Sequence, residues 1–199
     1  ILYLDEMIIP QTSIGDIELT KVEDYVRAIQ KRETDEKIEI TENLLNNLNI
    51  IKDGRITLGG LLFFAKHPQK YRPAFCVKAI SFFGNSIGGT DYRSSKDIEG
   101  TIPEMFEETM SFFTSNLNHI QDGQNFNKVG KLEIAQTALE ELLQNALVHR
   151  DYSKNSPVRV MIFDNRIEIV SPGALPNSLT IENLKMGNAV VRNNLLVTY

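Results

Sequence analysis

Glu141 and Asn145 stand four residues apart in the run Glu141-Leu142-Leu143-Gln144-Asn145, where the apolar spacing is helical. Positions i and i+4 share one helix face. A carboxylate and an amide placed so can hold a divalent ion and a water beside a triphosphate. The carboxylate would orient or deprotonate the water, and the amide oxygen would ligate Mg²⁺, a hard cation that prefers oxygen. The same spacing is common on solvated helix faces, and by itself it favours that plainer reading. His149-Arg150-Asp151 follows. It is close to a protein-kinase catalytic loop, but that pattern needs Asn five residues after the Asp, where Ser156 stands. No glycine-rich phosphate loop precedes it and no Asp-Phe-Gly follows, so the kinase reading fails. A helix C-terminus accounts for the triplet, since His149 and Arg150 suit the negative end of the helix dipole.

Further along, Ser171-Pro172-Gly173-Ala174-Leu175-Pro176 could bring backbone close to a ligand or simply end a strand. Lys52, Arg55, Lys66, Lys70, Arg72 and Lys78 form a basic stretch with one acidic residue, Asp53. Its order of helix, turn and Arg55-Ile56-Thr57 resembles the part of a winged-helix domain that nears nucleic acid, where such cations would contact phosphates. A lysine-rich solvated surface is the plainer alternative. Cys76, the single cysteine, sits in an apolar segment and reads as a small inert hydrophobe, which excludes a disulfide framework or cysteine zinc site within this chain. His67 and His119 lack metal-ligand spacing.

The elements that must carry these residues follow from periodicity and caps. Leu19, Val22, Tyr25, Val26 and Ile29 predict a helix near 19–31. Thr41 begins a short helix, Lys52-Asp53-Gly54-Arg55 is a turn, and Thr57 caps an apolar helix through Phe64 that His67-Pro68 ends. Phe75 to Phe83 is a central strand, and Gly84 to Ser95 a polar loop. Pro103 opens a helix to about Leu117. Residues 118–130 are rich in Asn, Gln and Gly and mark a domain boundary. Leu132 to Val148 is the strongest helix. Val158 to Phe163 and Arg166 to Val170 form a hairpin turned at Asp164-Asn165. Thr180 to Met186 would be a helical turn or two.

Taken whole, Glu141-Leu142-Leu143-Gln144-Asn145-Ala146-Leu147-Val148-His149-Arg150-Asp151-Tyr152-Ser153 is far more specific than its parts. It resembles the helix and loop of a bacterial and archaeal family of predicted transcriptional regulators, also described as ATP-dependent DNA helicase-related. That family pairs an N-terminal Schlafen/AlbA-type domain with a C-terminal module related to the GHKL ATPases. The likeness continues through Ile162 to Ile169, Ser171 to Pro176, Leu179-Thr180, Gly187 and Arg192-Asn193, and upstream through Ile56 to Lys66.

The resemblance implies that Glu141 is the general base and Asn145 the Mg²⁺ ligand. It assigns His149, Arg150, Asp151, Ser171 and Gly173, with Asn145, to nucleotide binding. GHKL enzymes place an Asp where Ser171 stands and their first glycine at Gly173. A serine is a weaker, neutral acceptor for an adenine amino group. The phosphate lid would lie beyond Tyr199. ATP and Mg²⁺ are therefore expected in a full-length protein, and weak or no ATP binding in this chain alone.

The expected fold is α/β, more narrowly α+β. Residues 1–20 are the tail of a preceding domain. Residues 21–125 are a linking α/β region with winged-helix-like helices, and 126–199 a partial GHKL-like sandwich. The chain begins at Ile1 and ends in an apolar stretch, so it is expected to be a segment of a longer polypeptide. Its 199 residues, pI near 5.3 and 24% charged content fit a globular protein and exclude a bulk polyanion binder. No apolar run approaches the roughly 20 residues of a membrane helix, and no leader signature is present, so no membrane partner and a cytoplasmic location are expected. The leading expectation is a DNA-binding regulator whose module senses nucleotide, possible as a homo-oligomer. The alternatives are an ATP-hydrolysing enzyme and a nucleotide-free interaction or dimerisation module.

Overall fold

The computed structural model describes residues 3–30, 38–87, 91–117, 119–120, 131–174 and 192–199. After 3-10 turns at Leu4–Glu6 and Ile14–Asp16 come α1 (Leu19–Gln30), α2 (Glu42–Asn47), β1 (Ile51–Lys52), β2 (Arg55–Ile56), α3 (Leu58–Phe64) and α4 (Pro68–Tyr71). Then follow β3 (Val77–Phe82), β4 (Tyr92–Ile98), α5 (Ile102–Asn116), β5 (His119–Ile120), β6 (Lys131–Leu132), α6 (Gln136–Val148), β7 (Val158–Ile162), β8 (Ile167–Val170) and α7 (Asn194–Thr198). The class is mixed α/β, as expected. No helix among the described residues is long and apolar enough to cross a membrane.

Local chemistry sets the helix starts. Thr41 accepts a hydrogen bond from the Leu44 amide, and Thr57 accepts one from the Gly60 amide. Thr101 and Glu104 form a reciprocal capping box ahead of Pro103. Within α3, Gly60 is required for a different reason. A Cβ there would lie 2.2 Å from the Ile50 carbonyl oxygen, so only glycine lets α3 press onto the β1–β2 hairpin.

A four-stranded sheet runs in the order β4-β3-β7-β8, with β3 and β7 parallel and the outer pairs antiparallel. Val77, Ala79, Val158, Val160 and Ile162 are buried on the face covered by α5 and α6. The other face carries exposed Lys78, Asp97, Arg159 and Val170. Strands from either side of residues 118–130 thus share one sheet and one core. The N-terminal residues are woven in as well: Ile9 N–H donates to the Ile56 carbonyl and Leu58 N–H to the Met7 carbonyl.

Three local expectations change. Tyr92 to Ser95, expected as loop, form the first half of β4 and pair with Phe82 to Ile80. As an edge strand, β4 keeps polar residues outward, which hides its strand signal. The strongest helix begins at Gln136, because Lys131-Leu132 pair with His119-Ile120. Helix α3 ends at Phe64 as expected, but Pro68, expected only to end it, also starts α4. Most of 118–130 and the turn expected at Thr180 to Met186 lie outside the described residues.

Candidate functional site

Helix α6 sets the candidate site by dividing its residues between two faces. Leu139, Leu143 and Leu147 are buried, and each contributes roughly 2 kcal/mol of burial free energy. That anchoring turns Glu141 and Asn145 outward, and both are exposed. Asn145 Nδ2 donates to Glu141 Oε1 at 2.9 Å. The bond orients the amide so that Asn145 Oδ1 and the second Glu141 oxygen remain as acceptors. His149, one further turn along, is exposed and caps the helix through its own N–H on the Asn145 carbonyl, 3.0 Å away.

A cleft of about 420 Å³ opens beside this face. Gln144, Asn145 and His149 form one wall, Ile102, Pro103 and Phe106 of α5 another, and Leu196 to Tyr199 a third, with Phe63 of α3 contributing a ring. Glu141 does not line it. Among the described residues, neither Lys, Arg, Asp nor Glu does.

The loop after α6 is built differently. Arg150 is only 2% exposed. Its guanidinium lies 4.7 Å from the ring centroids of both Phe75 and Tyr152, and Nη2 donates to the Lys154 and Ser156 carbonyls at 3.0 and 2.6 Å. Burial pulls its pKa below the usual arginine range. Tyr152 is buried, donates its hydroxyl to the Leu147 carbonyl at 2.8 Å, and has its pKa pushed up by that burial. Asp151 Oδ1 accepts from the Ser153 hydroxyl and amide at 2.6 and 3.0 Å, and the hydroxyl above all holds its carboxyl below the ordinary range.

Ser171 and Gly173 fold onto that loop. Ser171 Oγ donates to the Ala146 carbonyl at 2.8 Å, and Asp151 N–H donates to the Pro172 carbonyl at 2.8 Å. Gly173 has φ +122°, and a Cβ there would lie 2.6 Å from Asp151 Cβ and 2.8 Å from Arg192 Nη1. The structure therefore gathers Glu141, Asn145 and His149 along one helix face, and Asp151, Ser171 and Gly173 in a separate packed cluster. Arg150 belongs to neither, since it stands in the core beneath the loop.

The basic stretch also divides. Lys52 and Arg55 are exposed and face each other across the β1–β2 hairpin, which Asp53 and Gly54 turn with φ of 52° and 70°. Lys66 Nζ donates to the Gly15 carbonyl at 2.9 Å, and Lys70 lies 3.7 Å from Asp16. Arg72 Nη1 donates to the Tyr71 carbonyl, and Lys78 pairs with Asp97 on the open sheet face. Cys76 is buried, and that burial pushes its thiol pKa up, in keeping with an inert side chain. Among the described residues no group of three His, Cys, Asp or Glu side chains is placed to hold a metal.

Two supporting residues carried no sequence signal of their role. Asn193 is buried and donates through Nδ2 to the Val148 and Arg150 carbonyls at 2.7 and 2.9 Å, fixing the end of α6. Asp5 Oδ2 accepts from the Leu195 and Leu196 amides at 2.6 and 3.2 Å, fixing α7 against the cleft. Asn193 falls within the family likeness but not within a chemical motif, and nothing near Asp5 marks it.

Comparison with known proteins bears on both ends of the chain. Residues 155–199 match the family model described as "Putative ATP-dependent DNA helicase recG C-terminal", and residues 3–78 match one described as "Domain of unknown function (DUF8451)". The first match starts just after the Glu141 to Ser153 segment. No curated protein matches. Among solved structures, the DIP2311 protein from Corynebacterium diphtheriae shares the fold with a TM-score of 0.66 at 19% identity, over 98% of this chain and 38% of that one. The C-terminal segment is thus similar in sequence to a helicase-related module, and the whole chain shares its fold with part of a longer protein.

Proposed function

We propose that this chain is the nucleotide-responsive part of a DNA-binding regulatory protein, with Mg²⁺-ATP as the nucleotide. The observation that carries the reading is the Glu141–Asn145 pair, hydrogen-bonded at 2.9 Å on the solvent face of α6 at the edge of a 420 Å³ cleft. The likeness of residues 155–199 to the C-terminal helicase family supports it. The donor set fits Mg²⁺: one carboxylate and one amide oxygen remain available, and a hydrated Mg²⁺ needs few protein ligands. When bound, the ion would neutralise phosphate charge. Asn145 would hold it, and Glu141 would orient a water. The expected adenine position fits poorly, because the Ser171 hydroxyl is spent on the Ala146 carbonyl.

For DNA, the Lys52/Arg55 hairpin is the better candidate within the basic stretch, since Lys66, Lys70 and Lys78 are engaged by the protein itself. Calorimetric titration of the full-length protein with Mg-ATP and Mg-ADP tests the nucleotide half; heat that saturates is expected, and none at millimolar ligand removes it. A low-salt gel shift, repeated with Lys52→Ala/Arg55→Ala, tests the DNA half, which fails if the variant binds as the parent does.

A second reading, hydrolysis with Glu141 as base, is favoured by the exposure of that carboxylate one turn from Asn145.

A further inference from the structure

A nucleotide beside α6 has two places to put its base. The side of Ser171 and Gly173 is filled. The serine hydroxyl is donated to Ala146, and Asp151 and Arg192 crowd Gly173 so closely that even a Cβ would clash. The aromatic cleft is the opposite case. Phe106 and Phe63 are partly exposed in its walls, over a floor that includes buried Ile102 and Leu196. Its polar groups are uncommitted: among the described residues, neither the Gln144 amide nor the His149 ring has a hydrogen-bond partner, and Asn145 uses only its Nδ2.

We infer that this cleft is the base site, taking a neutral heteroaromatic ring with its ribose, of the nucleoside class. This rests on the reading of α6 as a nucleotide helix and says where the base goes. Three properties select the class. The volume of about 420 Å³ falls within the roughly 300–1,000 Å³ of small-molecule sites. Among the described residues no charged side chain lines the cleft, so a phosphate or carboxylate placed in it would be desolvated without a partner from them, whereas a neutral ring loses little. Amide and imidazole edges beside phenyl rings match a flat solute with apolar faces and a polar rim. The Tyr199 hydroxyl is donated to the Leu48 carbonyl at 2.6 Å, so that residue offers its ring and not its oxygen. With the base inside, exposed Asn145 and, outside the lining, Glu141 lie on the phosphate side.

The test is calorimetric titration of the full-length protein with adenosine, guanosine and Mg-ATP, in the parent, Phe106→Ala, His149→Ala and Ser171→Ala. A nucleoside is expected to bind without Mg²⁺. Phe106→Ala is expected to weaken nucleoside and Mg-ATP alike by roughly tenfold through loss of stacking, and Ser171→Ala by less than about twofold. His149→Ala alters an exposed residue and keeps the test open should Phe106→Ala misfold; weaker nucleoside binding in it supports the site. Mg-ATP binding that survives Phe106→Ala and His149→Ala unchanged but is lost in Ser171→Ala overturns the base site while leaving the nucleotide reading intact. Absence of binding by nucleoside and Mg-ATP in the parent removes both.

Discussion

The two halves of the segment 141–153 are contiguous in sequence and opposite in physics. From Glu141 to His149 the polar groups face water and keep spare acceptors, and Gln144, Asn145 and His149 border a cleft. From Arg150 to Ser153 they turn inward: guanidinium Nη2 is spent on two carbonyls between two rings while Nε is buried without a partner among the described residues, the tyrosine hydroxyl goes to Leu147, and one aspartate oxygen to Ser153. The lesson is that a charged motif residue speaks for chemistry only when its bonding capacity is left open. One buried against the protein's own rings and carbonyls speaks for shape.

Removing a residue from the packed half should cost stability most. Arg150→Ala strands the Lys154 and Ser156 carbonyls and empties the space between two rings, and is expected to cost about 3 kcal/mol in urea denaturation. A loss under about 1 kcal/mol would erase the contrast. A smaller effect is expected at Asp151. Its depressed pKa means that its contribution is present above the ordinary 3.8 and is lost as pH falls through the lowered value. Ser153→Ala removes the first cause of that shift, so NMR titration should show the Asp151 carboxyl moving back toward 3.8, and acid unfolding should begin at higher pH. The smallest stability change belongs to the open half. Glu141→Ala should shift the unfolding free energy by less than about 0.5 kcal/mol. If the protein hydrolyses ATP, phosphate release should drop sharply in the same variant, and equal rates would dismiss Glu141 as the base.

Much of the frame was legible before the structure. Thr41, Thr57 and Pro103 announced helix starts because caps are local chemistry. The outward pair Glu141 and Asn145 followed from i, i+4 geometry and the leucines between. Strand β4 escaped notice because an edge strand need not be apolar. The burial of Arg150 could not be read either. It depends on Phe75, 75 positions upstream, and on carbonyls four and six residues on. The cleft was invisible for a like reason, since its walls come from α3, α5, α6 and α7 and no window of sequence contains it.

The bond from Asp5 to α7 bears on the order in which the molecule assembles. A five-residue helix does not persist unaided, and α7 owes its existence to docking. The carboxylate that caps it lies 190 residues from Leu195 along the chain. A loop that long is costly to close, and it closes cheaply only once the sheet has brought the two regions together. The third wall of the cleft should therefore be the last part to form and the first to open, so that the site appears only when the rest of the fold is already complete.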